Sequence, residues 1–235
     1  MPQFYTSKMV PKYQIASLSE SAIVISFEQI IDEGINDFIR LLDRKINKNP
    51  FPGFVESVPA YASLTVYYDL LKVPVHNGRT AQGFVRNFTE ELINKYSFGE
   101  YEKVNKSIVE IPVIYDGEDL DFVCEKTGLS VSEFIKTHTE PLYRVYMMGF
   151  LPGFAYLGGM DKRLAVPRRS SPRKQVPAGS VGIAGEQTGI YPVESPGGWQ
   201  LIGRTEKELL INDESQLTLL KQGDYVRFYC RSTFS

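Results

Sequence analysis

Eleven of the chain's 19 glycines and six of its 14 prolines fall between Gly149 and Thr205, a window of 57 residues. Each glycine in a regular element costs roughly 0.5–1 kcal/mol relative to alanine, and proline removes a backbone donor. Against a net folding stability of ~5–15 kcal/mol, some structural or functional need must offset that loss. The window opens on GFLPGFAYLGGM (149–160), where Gly149, Gly153, Gly158 and Gly159 alternate with Phe150, Phe154 and Tyr156, and Pro152 stiffens the middle. No convincing helix follows YRVYMMGF (143–150), and short β runs separated by Gly and Pro read as a barrel or a sandwich.

The first half is patterned differently. AIVISF (22–27) is a short β-rich run, followed by Ile31, Ile35, Phe38, Leu42 and Ile46 at helical spacing, with Asn49-Pro50 as a stop. FVESVPAYASLTVYYD (54–69) reads as two strands broken at Pro59, and Phe84, Phe88 and Leu92 mark a second amphipathic helix within 80–96. These elements make an α+β unit with both helices on one sheet face. SFGEYEKVNK (97–106) is polar and aperiodic and reads as a connection. IVEIPVIYD (108–116) opens the second half as a strand, and two short helices follow, the second announced by Ser130 and Glu133 in capping-box spacing.

Composition narrows the function. A hydrophobic fraction of 43% fits a globular protein, and 26 basic against 28 acidic residues give no overall attraction to nucleic acid or a membrane surface. Cys124, Cys230, His76 and His138 stand apart, so neither a disulfide framework nor a zinc site is expected. The N-terminus lacks a signal-peptide pattern, no run approaches the ~20 apolar residues of a membrane span, and two thiols fit a reducing cytoplasm. GxxxxGK[ST], GxGxxG and GxSxG are all absent, and Asp116, Glu118, Asp119 and Asp121 read as a turn and helix start. The chain looks unable to complete a reaction alone. His138 reads as a capping or core residue.

Two segments carry candidate site residues. DKRLAVPRRSSPRKQVPAG (161–179) places Arg168, Arg169 and Arg173 among prolines that restrict the backbone, which suits forked recognition of carboxylate or phosphate; it equally suits a solvated basic loop. GSVGIAGEQTGIYPVESPGGWQLIGRT (179–205) adds Gln187, Thr188, Tyr191, Trp199 and Arg204 among seven glycines. Taken singly, Ser195-Pro196-Gly197-Gly198 reads as a tight turn and Trp199 as a core ring. The conjunction of the three segments points to one anion-binding cleft, lined by Arg168, Arg169, Arg173, Gln187, Tyr191 and Arg204. Its backbone and wall would be Pro152, Gly153, Phe154, Tyr156, Gly158 and Gly159, whereas Phe150, ending an apolar strand, reads as packed inside the barrel.

The block from Gly149 to Thr205, together with VPAYASLTVYYD and KQGDYVRFY near the C-terminus, resembles the family of the 5-oxoprolinase B subunit. That family includes the Kip-type inhibitor of a sporulation histidine kinase and the first part of allophanate hydrolase and urea-carboxylase modules. In IPVIYDGEDLDF the family's longer glycine-and-proline loop is missing, although Tyr115 and Asp119-Leu120 remain recognisable. The resemblance implies an α+β N-terminal domain (1–100, a four-stranded sheet with two helices), a linker (101–106) and a cyclophilin-like β-barrel domain (107–235). It further implies a B subunit that acts with the C and A subunits of 5-oxoprolinase to open 5-oxo-L-proline to L-glutamate, using ATP through the assembled complex, with no metal in this chain. The family's other roles, inhibition of a histidine kinase and the carboxyltransferase half of a urea or allophanate enzyme, stay open at this level.

Overall fold

Hydrophobic alternation at period two sets the first sheet. Ile23, Ile25 and Phe27 of β2 (Ala22–Phe27) and Leu64, Val66 and Tyr68 of β4 (Ser63–Tyr68) are buried on one face. The computed structural model describes residues 10–75, 80–96, 107–211, 213 and 216–231, and the expected linker at 101–106 lies outside them. With β1 (Tyr13–Ser19) and β3 (Phe54–Pro59) the strands form an antiparallel sheet of order β1-β2-β4-β3. The chain divides into two compact units, Met1–Val104, which holds this sheet, and Asn105–Ser235. Among the described residues no helix is long and apolar enough to cross a membrane.

Helix α1 (Glu33–Lys48) buries Ile35, Phe38, Ile39, Leu42 and Ile46 in the first unit's core. Ile31, expected at its start, lies outside it, because the Asp32 carboxylate accepts from the Ile35 N–H at 2.8 Å and caps the helix there. Helix α2 (Ala81–Lys95) is capped by Thr80, and its buried stripe is Ala81, Val85, Thr89 and Ile93. Phe84, Phe88 and Leu92, the expected anchors, flank that stripe and are only partly buried.

In the second unit, β5 (Ile108–Val113), β6 (Tyr143–Met148), β7 (Ala155–Gly158), β9 (Ser180–Ala184), β10 (Gln187–Ile190), β12 (Gln200–Arg204) and β13 (Tyr225–Cys230) form one sheet of order β12-β9-β10-β7-β6-β13-β5. Within it only the β13-β5 pair is parallel. The two ends of this sheet meet where Ile114 and Arg204 exchange backbone hydrogen bonds of 2.8 Å, which nearly closes it into a barrel. Gly203 is required at that seam, since a Cβ there would overlap the Ile114 carbonyl oxygen. Inside lie Ile111, Val113, Val145, Leu157, Val181, Ile183 and Ile202. A separate pair, β8 (Arg173–Val176) with β11 (Ser195–Gly197), carries the basic segment. Ser195–Gly197 is thus a short strand rather than the expected tight turn.

Two helices, α3 (Leu120–Thr127) and α4 (Val131–Thr139), complete the unit, and α4 has the capping box read from Ser130 and Glu133. Helix α4 sends His138 into the barrel core, beside Phe134 and Phe228. The Thr188 hydroxyl donates to the Gly182 carbonyl at 3.0 Å, so its oxygen accepts from His138 Nε2–H at 3.2 Å. Nδ1 is then the acceptor for the Tyr115 hydroxyl at 2.7 Å. The ring is a satisfied neutral core residue, and burial pulls its pKa from 6.5 down to about 3.

Asp119 stands at the start of α3 without capping it. Its carboxylate instead accepts from Arg173 Nη2 at 2.7 Å to each oxygen, from Arg169 Nη1 at 3.0 Å and from the Leu201 N–H at 2.7 Å. Burial alone would pull the Arg173 guanidinium pKa down, but hydrogen bonding and charge from Asp119 more than offset it and leave it raised. One buried anion therefore joins α3, β12, β8 and the basic loop.

Two outcomes are expected from these buried groups. The unfolded chain protonates His138 below pH 6.5 while the folded ring stays neutral down to about pH 3. This group's contribution is therefore present above pH 6.5 and is lost as pH falls, by about 1.4 kcal/mol per pH unit once the window is entered. His138→Gln should flatten the fall of stability between pH 6 and 4, read from urea unfolding at each pH; an unchanged slope would refute the assignment. Asp119→Ala leaves the buried Arg173 guanidinium with only the exposed Glu118 carboxylate at 3.3 Å as an ion-pair partner among the described residues, and should cost about 3 kcal/mol in the same measurement, the low end for a broken buried pair. Adding Arg173→Met should restore much of that loss.

Candidate functional site

The turn of the opening stretch is tied by two backbone bonds, Gly149 N–H to Phe154 O at 3.1 Å and Phe154 N–H to Leu151 O at 3.0 Å. Gly153 sits at φ +81°, and Phe150 adopts φ +70°, the only described non-glycine residue in the left-handed region. This backbone turns Phe150 outward, where it is 59% exposed, so the expected packing inside the barrel is corrected. Phe154 points the other way and is 1% exposed. Around it stand Tyr156, Tyr191, Trp199 and Phe150 with centroid separations of 4.9, 5.3, 5.5 and 5.5 Å, all edge-on. Edge-to-face pairs of this kind contribute about 0.5–1.5 kcal/mol each beyond area burial, so the cluster is a rigid wall.

These rings enclose a hollow of about 280 Å³ whose lining includes Arg168, Arg169, Pro172 and Pro196–Trp199. Gly197 makes room for the Tyr191 ring in its wall: a Cβ there would overlap that ring. Burial pushes the phenols of Tyr156 and Tyr191 up, and the Arg168 charge opposes this in both. Both hydroxyls therefore stay protonated near neutral pH. Arg168 has no hydrogen bond or ion pair among the described residues, so its guanidinium is available to a guest. The described lining contains no carboxylate, imidazole or thiol. Such a hollow can hold a small flat anion and supply hydroxyl donors; it presents no evident nucleophile or base.

The structure brings together Arg168, Arg169, Tyr191, Phe154 and Tyr156 of the predicted cleft. Three predicted anion contacts are engaged elsewhere. Arg173 is only 13% exposed in its side chain and holds Asp119 and Glu118, while Arg204 pairs with Asp116 at 2.9 Å beside the barrel seam. Arg169 lines the hollow but gives Nη1 to Asp119. Gln187 lies on β10 opposite Ala184 and is not part of this lining. Pro152 and Gly153 line a different, larger depression of about 600 Å³ with Thr218 and Lys221. Gly158 pairs with Arg144 in the sheet and Gly159, at φ +97°, makes the turn beyond it, so neither serves as a ligand cradle in this hollow. Sequence reads Asp119 as a helix start, and only its distance of 50 and 54 residues from Arg169 and Arg173 hides its role.

A family model described as carboxyltransferase domain, subdomain C and D, matches residues 13–220. The 5-oxoprolinase B subunit of Bacillus subtilis (strain 168) is 48% identical over 229 residues, covering 94% of this chain and 93% of that protein. The 5-oxoprolinase B subunit of Escherichia coli O157:H7 is 36% identical over 215 residues, 90% of this chain and 93% of that one. Among solved structures, TTHA0988 matches with a TM-score of 0.75 at 36% identity over 90% of this chain, which spans 39% of that longer one. With the match running from the first sheet through the barrel, the chain belongs to the carboxyltransferase subdomain C and D family, among its 5-oxoprolinase B-subunit members.

Proposed function

We propose that this chain is the B subunit of an ATP-dependent 5-oxoprolinase, which opens 5-oxo-L-proline to L-glutamate together with the A and C subunits. The observation that carries the reading is the near full-length identity with curated 5-oxoprolinase B subunits. The aromatic hollow supports it chemically. Its edge-on rings suit the flat lactam, and Arg168 suits the carboxylate of the substrate or the charge that develops on the activated carbonyl. Tyr156 and Tyr191, kept protonated by burial, serve as hydrogen-bond donors to the guest.

In this reading the chain binds and orients, and the assembled complex completes the chemistry. A triphosphate is a poor fit to a hollow of about 280 Å³ with one uncommitted guanidinium at its wall, so ATP is held by the assembled complex rather than in this hollow. The nearly closed sheet is taken as the cyclophilin-like barrel of the family, with the domain boundary at 101–106.

The test is reconstitution. Glutamate release from 5-oxo-L-proline and ATP should require this chain in addition to the A and C subunits, and a mixture no more active with it than without it overturns the reading. Arg168→Gln should raise KM or lower kcat/KM by about 10-fold to 100-fold, the loss of one charge-assisted hydrogen bond. A complex that is active with wild-type kinetics after Arg168→Gln would retain the function and remove the hollow from it.

A further inference from the structure

Arg168 is exposed, yet the chain on either side of it is tied down. On its N-terminal side the Val166 carbonyl accepts from the Gly185 N–H at 2.7 Å, and the Pro167 carbonyl accepts from Gln200 Nε2 at 3.1 Å. On its C-terminal side the Arg169 N–H donates to the Gly198 carbonyl at 2.8 Å, and Arg169 Nη1 donates to Asp119 at 3.0 Å. Gly198 and Gln200 flank Trp199, a ring of the aromatic hollow. The backbone of Arg168 is thus registered against Trp199 from both sides.

The Trp199 segment is held in turn by Asp119. Its carboxylate accepts from the Leu201 N–H at 2.7 Å, and its own N–H donates to the Leu201 carbonyl at 2.9 Å. Arg173, gripped by the same carboxylate, donates Nη1 to the Trp199 carbonyl at 3.4 Å. Gly117 permits this approach, since a Cβ there would overlap the Leu201 carbonyl oxygen. Asp119 is 5% exposed and Gln200 3% exposed, and neither lines the hollow. Any effect of theirs on a guest therefore passes through Arg168 and the Trp199 wall. An arginine side chain has many rotamers, so the place where its backbone is fixed decides how often its guanidinium comes within reach of a guest.

We infer that Asp119 and Gln200 are positioning residues of the aromatic hollow, which together hold Arg168 in register with Trp199 and so present its guanidinium to an anionic guest. Gln200 acts through the Pro167 carbonyl, one residue before Arg168, and Asp119 acts through Arg169, one residue after it, and through Leu201. The kinetic consequence of the inference rests on the proposed function, whereas the placement of Arg168 does not.

Trp199 is the chain's only tryptophan, so its fluorescence in the full chain reports on this hollow alone. A cation held nearby concentrates an anionic quencher, and Arg168→Gln should lower quenching by iodide about twofold at constant ionic strength while quenching by neutral acrylamide stays the same. Gln200→Met keeps the length and charge and removes the donor; it should reproduce that selective loss and add nothing to it in the Arg168→Gln background. Iodide quenching that is unchanged in Gln200→Met, or that rises together with acrylamide quenching as general loosening requires, overturns the inference. In the complex reconstituted with the A and C subunits, Gln200→Met should raise KM for 5-oxo-L-proline about tenfold with a smaller fall in kcat, and should again add nothing to Arg168→Gln. A merely structural role would lower kcat through the amount of active enzyme and leave KM in place. Asp119→Ala combined with Arg173→Met, the pair expected to recover stability, should still raise KM, and a wild-type KM in that stable double variant would remove Asp119 from the positioning role. Selective loss of iodide quenching with KM unchanged in Gln200→Met supports the placement of Arg168 and rejects the hollow as the substrate site.

Discussion

The carboxylate of Asp119 accepts two hydrogen bonds from Arg173, one from Arg169 and one from the Leu201 N–H, which fills an acceptor capacity of about four lone-pair sites. A charge this deeply buried is tolerable only when paired and hydrogen-bonded. The arrangement fixes where the basic loop can lie: β8 is held to α3 and β12 by the same anion, and the Arg169 N–H is tied to the Gly198 carbonyl at 2.8 Å. Arg168, between these anchors and the rings, is left as the cation that faces outward. Three arginines within six residues thus take different tasks, two bracing the loop and one remaining available.

The aromatic hollow has a rigid floor and an open rim. Phe154, Tyr191 and Trp199 are buried and packed edge to face, whereas Phe150 stands exposed on a left-handed backbone. A non-glycine residue in that conformation stores on the order of 1–3 kcal/mol of strain, and persists only where its surroundings over-determine it. The two turn hydrogen bonds around Phe150 and the following Gly153 supply that constraint. The strain places a large ring beside two depressions, one walled by the aromatic cluster and one reaching Thr218 and Lys221.

The glycine count between Gly149 and Thr205 receives a largely structural explanation. Gly153 and Gly159 take positive φ, Gly203 admits the Ile114 carbonyl where the sheet closes, and Gly197 yields its space to Tyr191. Of these, only Gly197 lines the hollow. Backbone bareness in this segment therefore serves turns, strand closure and ring packing before it serves a ligand. His138, with both ring nitrogens satisfied by Tyr115 and Thr188, is likewise absorbed into the core.

Local patterning makes β2, β3, β4, α1 and the capping box of α4 legible, since periodicity and caps are properties of neighbouring residues. It leaves β1 unread, because only Ile15 of that strand is buried and the alternation is too weak to see. The stripe of α2 reads one position away from its true place, because Phe84 and Phe88 outweigh the smaller residues that are buried more deeply. The sequence by itself determined that Gly149 to Thr205 would be strands and turns holding rings and guanidinium groups in one module. Which arginine meets a carboxylate, which ring faces outward and which glycine frames a cavity were decided by tertiary structure alone. Those outcomes depend on contacts between residues tens of positions apart, and the energy of a buried ion pair or an edge-on ring exists only once the fold has brought the partners together.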